Sequence, residues 1–441
     1  MKKVLSTVVA LGCCLYLPSA VLAGGGKKVS DDMSREMSDL RAQLAKQQAE
    51  IDMLKGQKSD PTLATRLDAL EKKKGYVMAG NAFIDGVTLT GDLRERFQTK
   101  SYNFYNDSDA SQDGFSTRFR LGGVWQNKAE NWTIGAGIAT NIASANRSPE
   151  DAWGGVNEFD HSEINLDYAY AKHTFGDYAV ILGQSPVPYT WSWIFWDSDL
   201  RPQGATVAYG KETGIFAVAG AYGAKVTNID KGDLVDDVYG ENTGLAYIGQ
   251  VGYKDKFSEK GKYTLAAGYH MVDQAYMNEI ARSTSDLGGY SVEVGDLYGD
   301  VSFPVGPVDL KLYGQGWLNF AADSDKGVTQ SAIMGLGEDA EGNDMGWSLG
   351  LSGKMDQVRF AYSYSVVEAD SIYGGYVDIA NAVAGTTNVQ GHKAGVGYDV
   401  TKNWALDFTY YNFENIEDAG VTKLTTVEDV QTYQFDVTYK F

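Results

Sequence analysis

The segments Val358-Arg359-Phe360-Ala361-Tyr362-Ser363-Tyr364-Ser365 and Trp404-Ala405-Leu406-Asp407-Phe408-Thr409-Tyr410 place large apolar side chains at every second position, with small or polar ones between. A period of two is that of an extended strand, whose successive side chains point to opposite faces. The same rhythm is written earlier. Phe115, Phe119, Leu121 and Trp125 alternate with Ser116, Arg118, Arg120 and Gln126, and Trp132, Ile134, Ala136 and Ile138 alternate with Thr133, Gly135 and Gly137. It begins near Val87 and continues to Phe441, in sixteen segments centred near residues 93, 120, 136, 168, 181, 207, 218, 248, 267, 298, 312, 350, 362, 396, 408 and 435.

The connections alternate in length. Long ones (100–114, 143–162, 184–203, 222–243, 272–292, 320–345, 367–391, 413–429) are separated by brief ones such as Lys128–Asn131, Gly210–Thr213, Pro304–Pro307 and Asp399–Asn403. An even strand number with one long-loop end and one short-turn end is the pattern of a transmembrane antiparallel β-barrel, with both termini on the short-turn side. A soluble β-sandwich shows the same alternation, one face being solvated. Three features decide against it. The β region of roughly 350 residues exceeds the usual size of a single soluble core. Aromatics crowd the strand ends, at Trp125, Trp132, Phe175, Tyr253, Phe303 and Trp404, and the last strand reads Tyr433, Phe435, Val437, Tyr439, Phe441. That ending resembles the signal read by the outer-membrane barrel assembly machinery, which makes Tyr439 and Phe441 the expected assembly signal and the machinery an expected partner.

The rest of the composition agrees. The 441 residues include 28 Tyr, 17 Phe, 9 Trp and 51 Gly but only 8 Pro, which suits many strands joined by turns. Beyond the first residues there is no apolar run near the ~18 residues that a spanning helix needs. Lys2 and Lys3, the apolar stretch Val4 to Leu17 and the small-residue site Val21-Leu22-Ala23 form a secretory signal pattern, so residues 1–23 are expected to be removed. The only cysteines, Cys13 and Cys14, lie within it, leaving no disulfide or thiol chemistry. A lipoprotein reading with Cys13 acylated has a poor lipobox in Ala10-Leu11-Gly12. Between residues 24 and 75, Met37, Leu40, Leu44, Ile51 and Leu54, with Gln47 filling one site, step by fours and threes as a heptad seam. Pro61 interrupts it, and Leu63, Leu67 and Leu70 resume before Lys72-Lys73-Lys74. This is expected to be a short periplasmic coiled-coil arm used for oligomerisation; a lone amphipathic helix is the alternative, since few heptads make a weak zipper.

The formal net charge is −20, and about −22 without Lys2 and Lys3. The eight long connections together carry −23, so essentially all excess acid is expected in extracellular loops. Ordinary solvated surface explains this. Alternatively Asp233, Asp236, Asp237, Glu338, Asp339, Glu341 and Asp344 gather divalent cations bridging to lipopolysaccharide, or enrich cations at a pore mouth. No EF-hand spacing occurs, so no metal site is assigned; no cofactor and no nucleic-acid partner are expected.

Arg94 and Arg96 share the inward parity, as do Arg118 and Arg120. A hairpin symmetric about its loop would set 94 against 120 and 96 against 118, making one basic patch tolerable only with water or acids nearby. The stretch 186–204, Pro-Val-Pro-Tyr-Thr-Trp-Ser-Trp-Ile-Phe-Trp-Asp-Ser-Asp-Leu-Arg-Pro-Gln-Gly, is too apolar to face solvent. Folded into the barrel, it would set Asp197 and Asp199 opposite the arginines, with Arg201 close by, as a pore constriction. A subunit interface anchored by Trp191, Trp193 and Trp196 is the competing location. A ladder of Tyr189 and these indoles for sugar rings is a third reading.

Gly91-Asp92-Leu93-Arg94-Glu95-Arg96-Phe97, Arg118-Phe119-Arg120-Leu121, Leu182-Gly183-Gln184 and Trp196-Asp197-Ser198-Asp199-Leu200-Arg201-Pro202-Gln203-Gly204 resemble the Putative porin family of Gram-negative bacteria, the last motif being the most specific. The likeness covers most of the chain after residue 80. It implies a passive outer-membrane channel for small hydrophilic solutes, trimeric as general porins are, and passes on no substrate. A more distant resemblance is to phosphate-selective porins, which also carry an N-terminal coiled coil; the long inward arginine and lysine ladder of those proteins is missing here. An outer-membrane enzyme is the contrasting expectation. His161, His173, His270 and His392 lie without a serine elbow, a metal spacing or a paired acid, although Asp160 and Glu163 flank His161. A tether to the cell wall is also open, since the arm could reach roughly 40 Å.

Overall fold

The computed structural model describes residues 77–79, 82–84, 86–106, 108–141, 151–153, 163–223, 245–272, 292–322, 342–378, 387–416 and 427–441. The expectations for the export segment, the heptad seam at Met37 to Leu54, His161, and the loop acids Asp233, Asp236, Asp237, Glu338, Asp339 and Glu341 lie outside these residues.

Two three-residue strands, β1 (Val77–Ala79) and β2 (Ala82–Ile84), pair with each other. The wall then consists of β3 (Val87–Phe104), β4 (Asp109–Asn127), β5 (Trp132–Asn141), β7 (Glu163–Phe175), β8 (Tyr178–Gln184), β9 (Gln203–Gly210), β10 (Gly214–Gly223), β11 (Leu245–Lys256), β12 (Lys262–Val272), β13 (Val292–Val305), β14 (Val308–Asn319), β15 (Met345–Met355), β16 (Val358–Val367), β17 (Val389–Asp399), β18 (Trp404–Asn415) and β19 (Val427–Lys440). A short extra strand, β6 (Asp151–Trp153), pairs with the part of β4 beyond β5. Each of the sixteen wall strands pairs antiparallel with the next, and β19 closes onto β3, giving a closed barrel. Closure is what lets a sheet cross lipid, because an open edge would leave backbone N–H and C=O groups without partners. At the seam the last residue is stitched in by Gly91 N–H to Phe441 O and Phe441 N–H to Gly91 O, both 3.1 Å.

All sixteen periodic segments are strands, and the brief connections are tight turns. In Phe175-Gly176-Asp177-Tyr178 and Val305-Gly306-Pro307-Val308 the glycines take φ of +60° and +58°, a left-handed conformation that glycine adopts without a Cβ clash. The outward face is apolar: Leu93, Ile134, Ile138, Leu166, Leu182, Val207, Ile215, Val251, Leu265, Leu297 and Leu349 are all exposed on the isolated chain. Near the short turns, rings form a belt. Trp132 lies 4.6 Å from His173, Tyr178 4.9 Å from Tyr209 and Trp404 4.8 Å from Tyr439, as amphipathic rings do at a membrane–water boundary.

Two expectations are corrected here. The first long connection, 100–114, is mostly strand, because β3 runs to Phe104 and β4 starts at Asp109; Phe104 N–H bonds Ser108 O at 2.9 Å, and Asn106 Oδ1 accepts Ser108 N–H at 3.1 Å. This turn is centred one residue earlier than expected, so Arg94 lies opposite Arg118, Asp92 opposite Arg120 and Arg96 opposite Ser116. The shift moves each partner by two residues. Facing is therefore unchanged, since parity survives an even slip.

Candidate pore constriction

Residues 185–202, between β8 and β9, fold into the barrel instead of standing on its rim or facing a neighbouring subunit. The segment ends at Pro202 and not Gly204, because Gln203 and Gly204 already pair with Gln184 and Gly183. An apolar loop inside a polar lumen needs apolar support, and the wall supplies it. Ile194, Phe195 and Trp196 are buried against Tyr222, Ile248, Val272, Val294, Trp317 and Phe413 from strands around the barrel. Phe195 meets the Trp317 ring edge-on at 5.2 Å and the His270 ring at 5.4 Å.

The loop backbone is held by lumen-facing amides. Thr190 N–H donates to Gln250 Oε1 (2.9 Å) and its carbonyl accepts from Gln250 Nε2 (2.9 Å); Ser192 N–H donates to Gln315 Oε1 (2.7 Å). Trp193 Nε1 reaches Ser363 Oγ at 3.0 Å and Tyr189 Oη lies 3.0 Å from Tyr222 Oη. From above, the connection after β16 packs down: Asp197 N–H donates to Tyr376 O at 2.7 Å, and the Trp196 and Tyr376 rings stack at 4.5 Å. Asp370 in that connection is fully buried and Asp197 nearly so. Such acids cannot act as the exposed mouth charges expected of long connections. Asp344, just before β15, has its carboxyl raised above the ordinary range by burial, with Asp370 adding to the effect.

Each expected arginine lies on the inner wall against a carboxylate. Arg96 grips Asp436 with Nε to Oδ1 at 2.6 Å and Nη2 to Oδ2 at 2.7 Å, and Arg94 Nη1 lies 3.8 Å from the same carboxylate. Arg118 bonds Asp92 diagonally across the hairpin at 2.7 and 2.9 Å. Arg120 reaches across to the loop at Asp199, 2.5 Å away, and Arg201 returns from the loop to Asp167 on β7 at 3.3 Å. Asp199 therefore meets the arginines as expected. Asp197 instead caps the loop's own turn, its Oδ1 accepting Asp199 N–H at 2.8 Å, because its backbone is fixed to Tyr376.

The charge pairing extends past the expected patch. Arg359, Gly397, Asp407, Asp436 and Arg96 occupy one cross-strand row on β16, β17, β18, β19 and β3. Arg359 bonds Asp407 and Asp399 at 2.9 Å each, and Lys354 also holds Asp399, at 2.7 Å. Gly397 makes room for this: a Cβ there would stand 2.3 Å from Asp407 Oδ1 and 2.8 Å from Arg359 Cζ. From Lys354 to Asp167 the wall thus carries a belt of alternating charge. Asp92, Asp407 and Asp436 have the inward parity, so the two-residue rhythm could have found them; the pairing partners needed the register.

The loop aromatics form one contiguous group. Trp191 stacks on Tyr189 and meets Trp196 at a tilt, both at 4.9 Å, and Trp196 is buried. Of the histidines, His270 is buried beneath the loop, while His173 and His392 lie on the outward face, the latter's Nδ1 2.8 Å from Tyr362 Oη. Among the described residues no three His, Cys, Asp or Glu side chains gather where a metal could be held.

The model of the family described as Putative porin matches residues 56–287, more than half of the chain. The chain belongs to that family. The solved structure of Pseudomonas putida OprB at high pH is similar to this porin with a TM-score of 0.53 and 13% identity, over 86% of this chain and 96% of that one. Salmonella typhi OmpF, solved with daunomycin, gives a TM-score of 0.46 and 14% identity over 83% and 100%. No curated protein sequence matches the porin. At 13% identity the likeness to OprB speaks to the fold alone, and family and fold together indicate an outer-membrane channel rather than an enzyme.

Proposed function

We propose that small hydrophilic solutes and ions diffuse passively through this porin, past a constriction between residues 185–202 and the wall of β19, β3 and β4. The observation that carries this reading is the Arg120–Asp199 contact, in which the inserted loop reaches the arginine wall at 2.5 Å. Arg94, Arg96, Arg118, Arg120, Asp199 and Arg201 would line the narrow part, with Asp197, Tyr189, Trp191, Trp193 and Trp196 holding the loop in place. Guanidiniums and carboxylates set close together produce a field across the passage, which orients dipolar solutes and strips loosely held water from ions. Because nearly every cation in the belt has an acid beside it, the constriction favours anions only weakly. Planar-bilayer conductance in a potassium chloride gradient tests this. A reversal potential modestly on the anion side, lost on Arg94→Ala with Arg118→Ala, is expected; a purified, folded protein without conductance steps would move the reading to a structural tether.

Export by residues 1–23, a periplasmic arm at 24–75, assembly through Tyr439 and Phe441, contact with lipopolysaccharide and a homotrimer belong to the same proposal. One feature supports oligomerisation on the barrel itself. Glu95 has the outward parity on β3, among Leu93, Phe97 and Val437, and its carboxylate accepts Thr117 Oγ1 at 2.9 Å. A carboxylate facing lipid is unfavourable, and a neighbouring subunit over β3 and β4 relieves that cost. Native mass spectrometry in mild detergent should find three copies; a monomer throughout would remove the trimer.

A further inference from the structure

Beside the Lys354–Arg359–Asp407 end of the belt, toward the short turns, the wall opens into a hollow of about 900 Å³. Its shape follows from one cross-strand row: Lys262, Ser302, Lys311, Ser352, Ala361, Gly395 and Thr409, on β12 through β18. Where the arginine wall has long side chains, the middle of this row has Ser352, Ala361 and Gly395. A Cβ built on Gly395 would meet no atom closer than 3.6 Å. Above the row stands Lys393, whose Nζ lies 3.8 Å from the centre of the Trp193 ring and 5.2 Å from that of Tyr411. Trp193 belongs to the inserted loop, so the loop roofs the hollow.

The charges here are only partly paired. Lys311 has Asp300 at 3.3 Å, and Arg359 and Lys354 have their aspartates. Among the described residues, Lys262 and Lys393 have no carboxylate within 4 Å. The acids that line the hollow are Glu259, Asp309 and Asp407, against Lys260, Lys262, Lys311, Lys354, Arg359 and Lys393. Ammonium groups and the hydroxyls of Ser302, Ser352 and Thr409 are all able to donate.

We propose that this hollow binds small oxyanions, with Lys393 under Trp193 as the contact at one end and Lys262 with Lys311 drawing the anion in from the other end of the row. A lysine held over an indole keeps its charge for a further partner, and a lining with six cationic side chains against three carboxylates suits carboxylate or phosphate oxygens. Oxyanion transport would then involve a pause beneath the loop, which deepens the diffusion reading and rests on it.

The test is block of potassium chloride current through the full chain in a planar bilayer by inorganic phosphate, with acetate as a second arm. Wild-type current should flicker at millimolar phosphate, more weakly with acetate. Lys262→Gln with Lys393→Gln should raise the half-blocking concentration about tenfold, the loss of roughly one charge-assisted contact. Ala361→Glu, which removes no lysine and sets a carboxylate on the floor of the hollow, should abolish the block; heat-modifiable gel mobility confirms that each variant is folded. Steady conductance without block, or block unchanged in both variants, overturns the site and leaves the channel standing. Absence of any conductance overturns the channel and the site together.

Discussion

Arg96 on β3 is held by both oxygens of Asp436, whereas Lys393 on β17 has an indole and a phenol for its nearest partners. The two lie in the same lumen, yet one wall is closed electrostatically and the other open. The difference begins with side-chain size. On β19, β3 and β4 the inward positions near the loop are long and charged, so neighbouring strands at about 4.8 Å spacing can satisfy one another. On β15, β16 and β17 the row between Arg359 and Lys393 has Ser352, Ala361 and Gly395, too short to reach the flanking lysines. The same lattice therefore builds a rigid, paired wall on one side and a hollow with available charge on the other. A channel made so can narrow its passage on the first side without trapping ions there, and hold an anion on the second.

The largest effect that would break this comparison is removal of the loop common to both. Replacing residues 187–200 by a short glycine–serine link is expected to raise single-channel conductance severalfold, since the loop fills the lumen from Gln250 and Gln315 across to Arg120. It should also remove phosphate block, because Trp193 leaves Lys393. Conductance equal to wild type would mean that the narrow point lies elsewhere.

Next in size is a pair of single substitutions with opposite signs. Asp436→Asn takes the carboxylate from Arg96 and leaves Arg94 without its 3.8 Å partner, so the paired wall becomes positive. Its reversal potential should move toward anions, by about two- to fivefold in permeability ratio at low salt. Lys393→Gln should move it the other way. Asp436 and the two guanidiniums are mostly buried, so D436N should also lower the unfolding temperature, a loss not expected from half-buried Lys393, which has no carboxylate within 4 Å among the described residues. Shifts of the same sign would end the distinction between the two walls.

The sixteen strands and their facing were legible because parity repeats locally: Trp404, Leu406 and Phe408 disclose their side without reference to any other strand. That the loop must be buried was legible too, since three tryptophans in six residues cannot stay in water; that it is buried in the lumen and not against a second subunit needed the wall contacts of Ile194, Phe195 and Trp196. Pairing was not. Whether Arg94 meets Arg118 or Arg120 depends on a four-residue turn around Asn106, and periodicity does not locate a turn to one residue. The hollow was invisible for a related reason. Lys262, Lys311 and Lys393 are 131 positions apart from first to last and share a neighbourhood only through five consecutive registers, while the alanine and glycine between them leave no charge pattern to notice.

A smaller effect concerns the seam that carries the paired wall. Gly91 lies beneath the Phe441 ring, where a Cβ would stand 2.4 Å from Cζ and 2.5 Å from the Arg120 carbonyl oxygen. Gly91→Ala should therefore push the C-terminal ring outward and strain the β3–β4 ladder, at about 1–3 kcal/mol, seen as an earlier heat-induced mobility shift. An alanine of equal size at Gly395, with no atom closer than 3.6 Å, should leave that temperature nearly unchanged. If both alanines cost the same, the tight seam and the open hollow are not different environments after all.

The smallest expected effect, and the one that sharpens the comparison most, is its dependence on salt. Screening shortens from about 10 Å at 0.1 M to about 3 Å at 1 M. The contacts inside the belt are mostly 2.5–3.8 Å, and with their charges cancelled nearby they present little field to screen. Lys262 and Lys393 act through open water over longer distances. The reversal-potential shift caused by Lys393→Gln should consequently fade between 0.1 and 1 M potassium chloride, while the narrowing imposed by the loop, a matter of volume, persists. A lysine effect that survives molar salt would mean direct contact with the permeating ion at every passage, and would place the narrow point at the hollow instead of at the arginines.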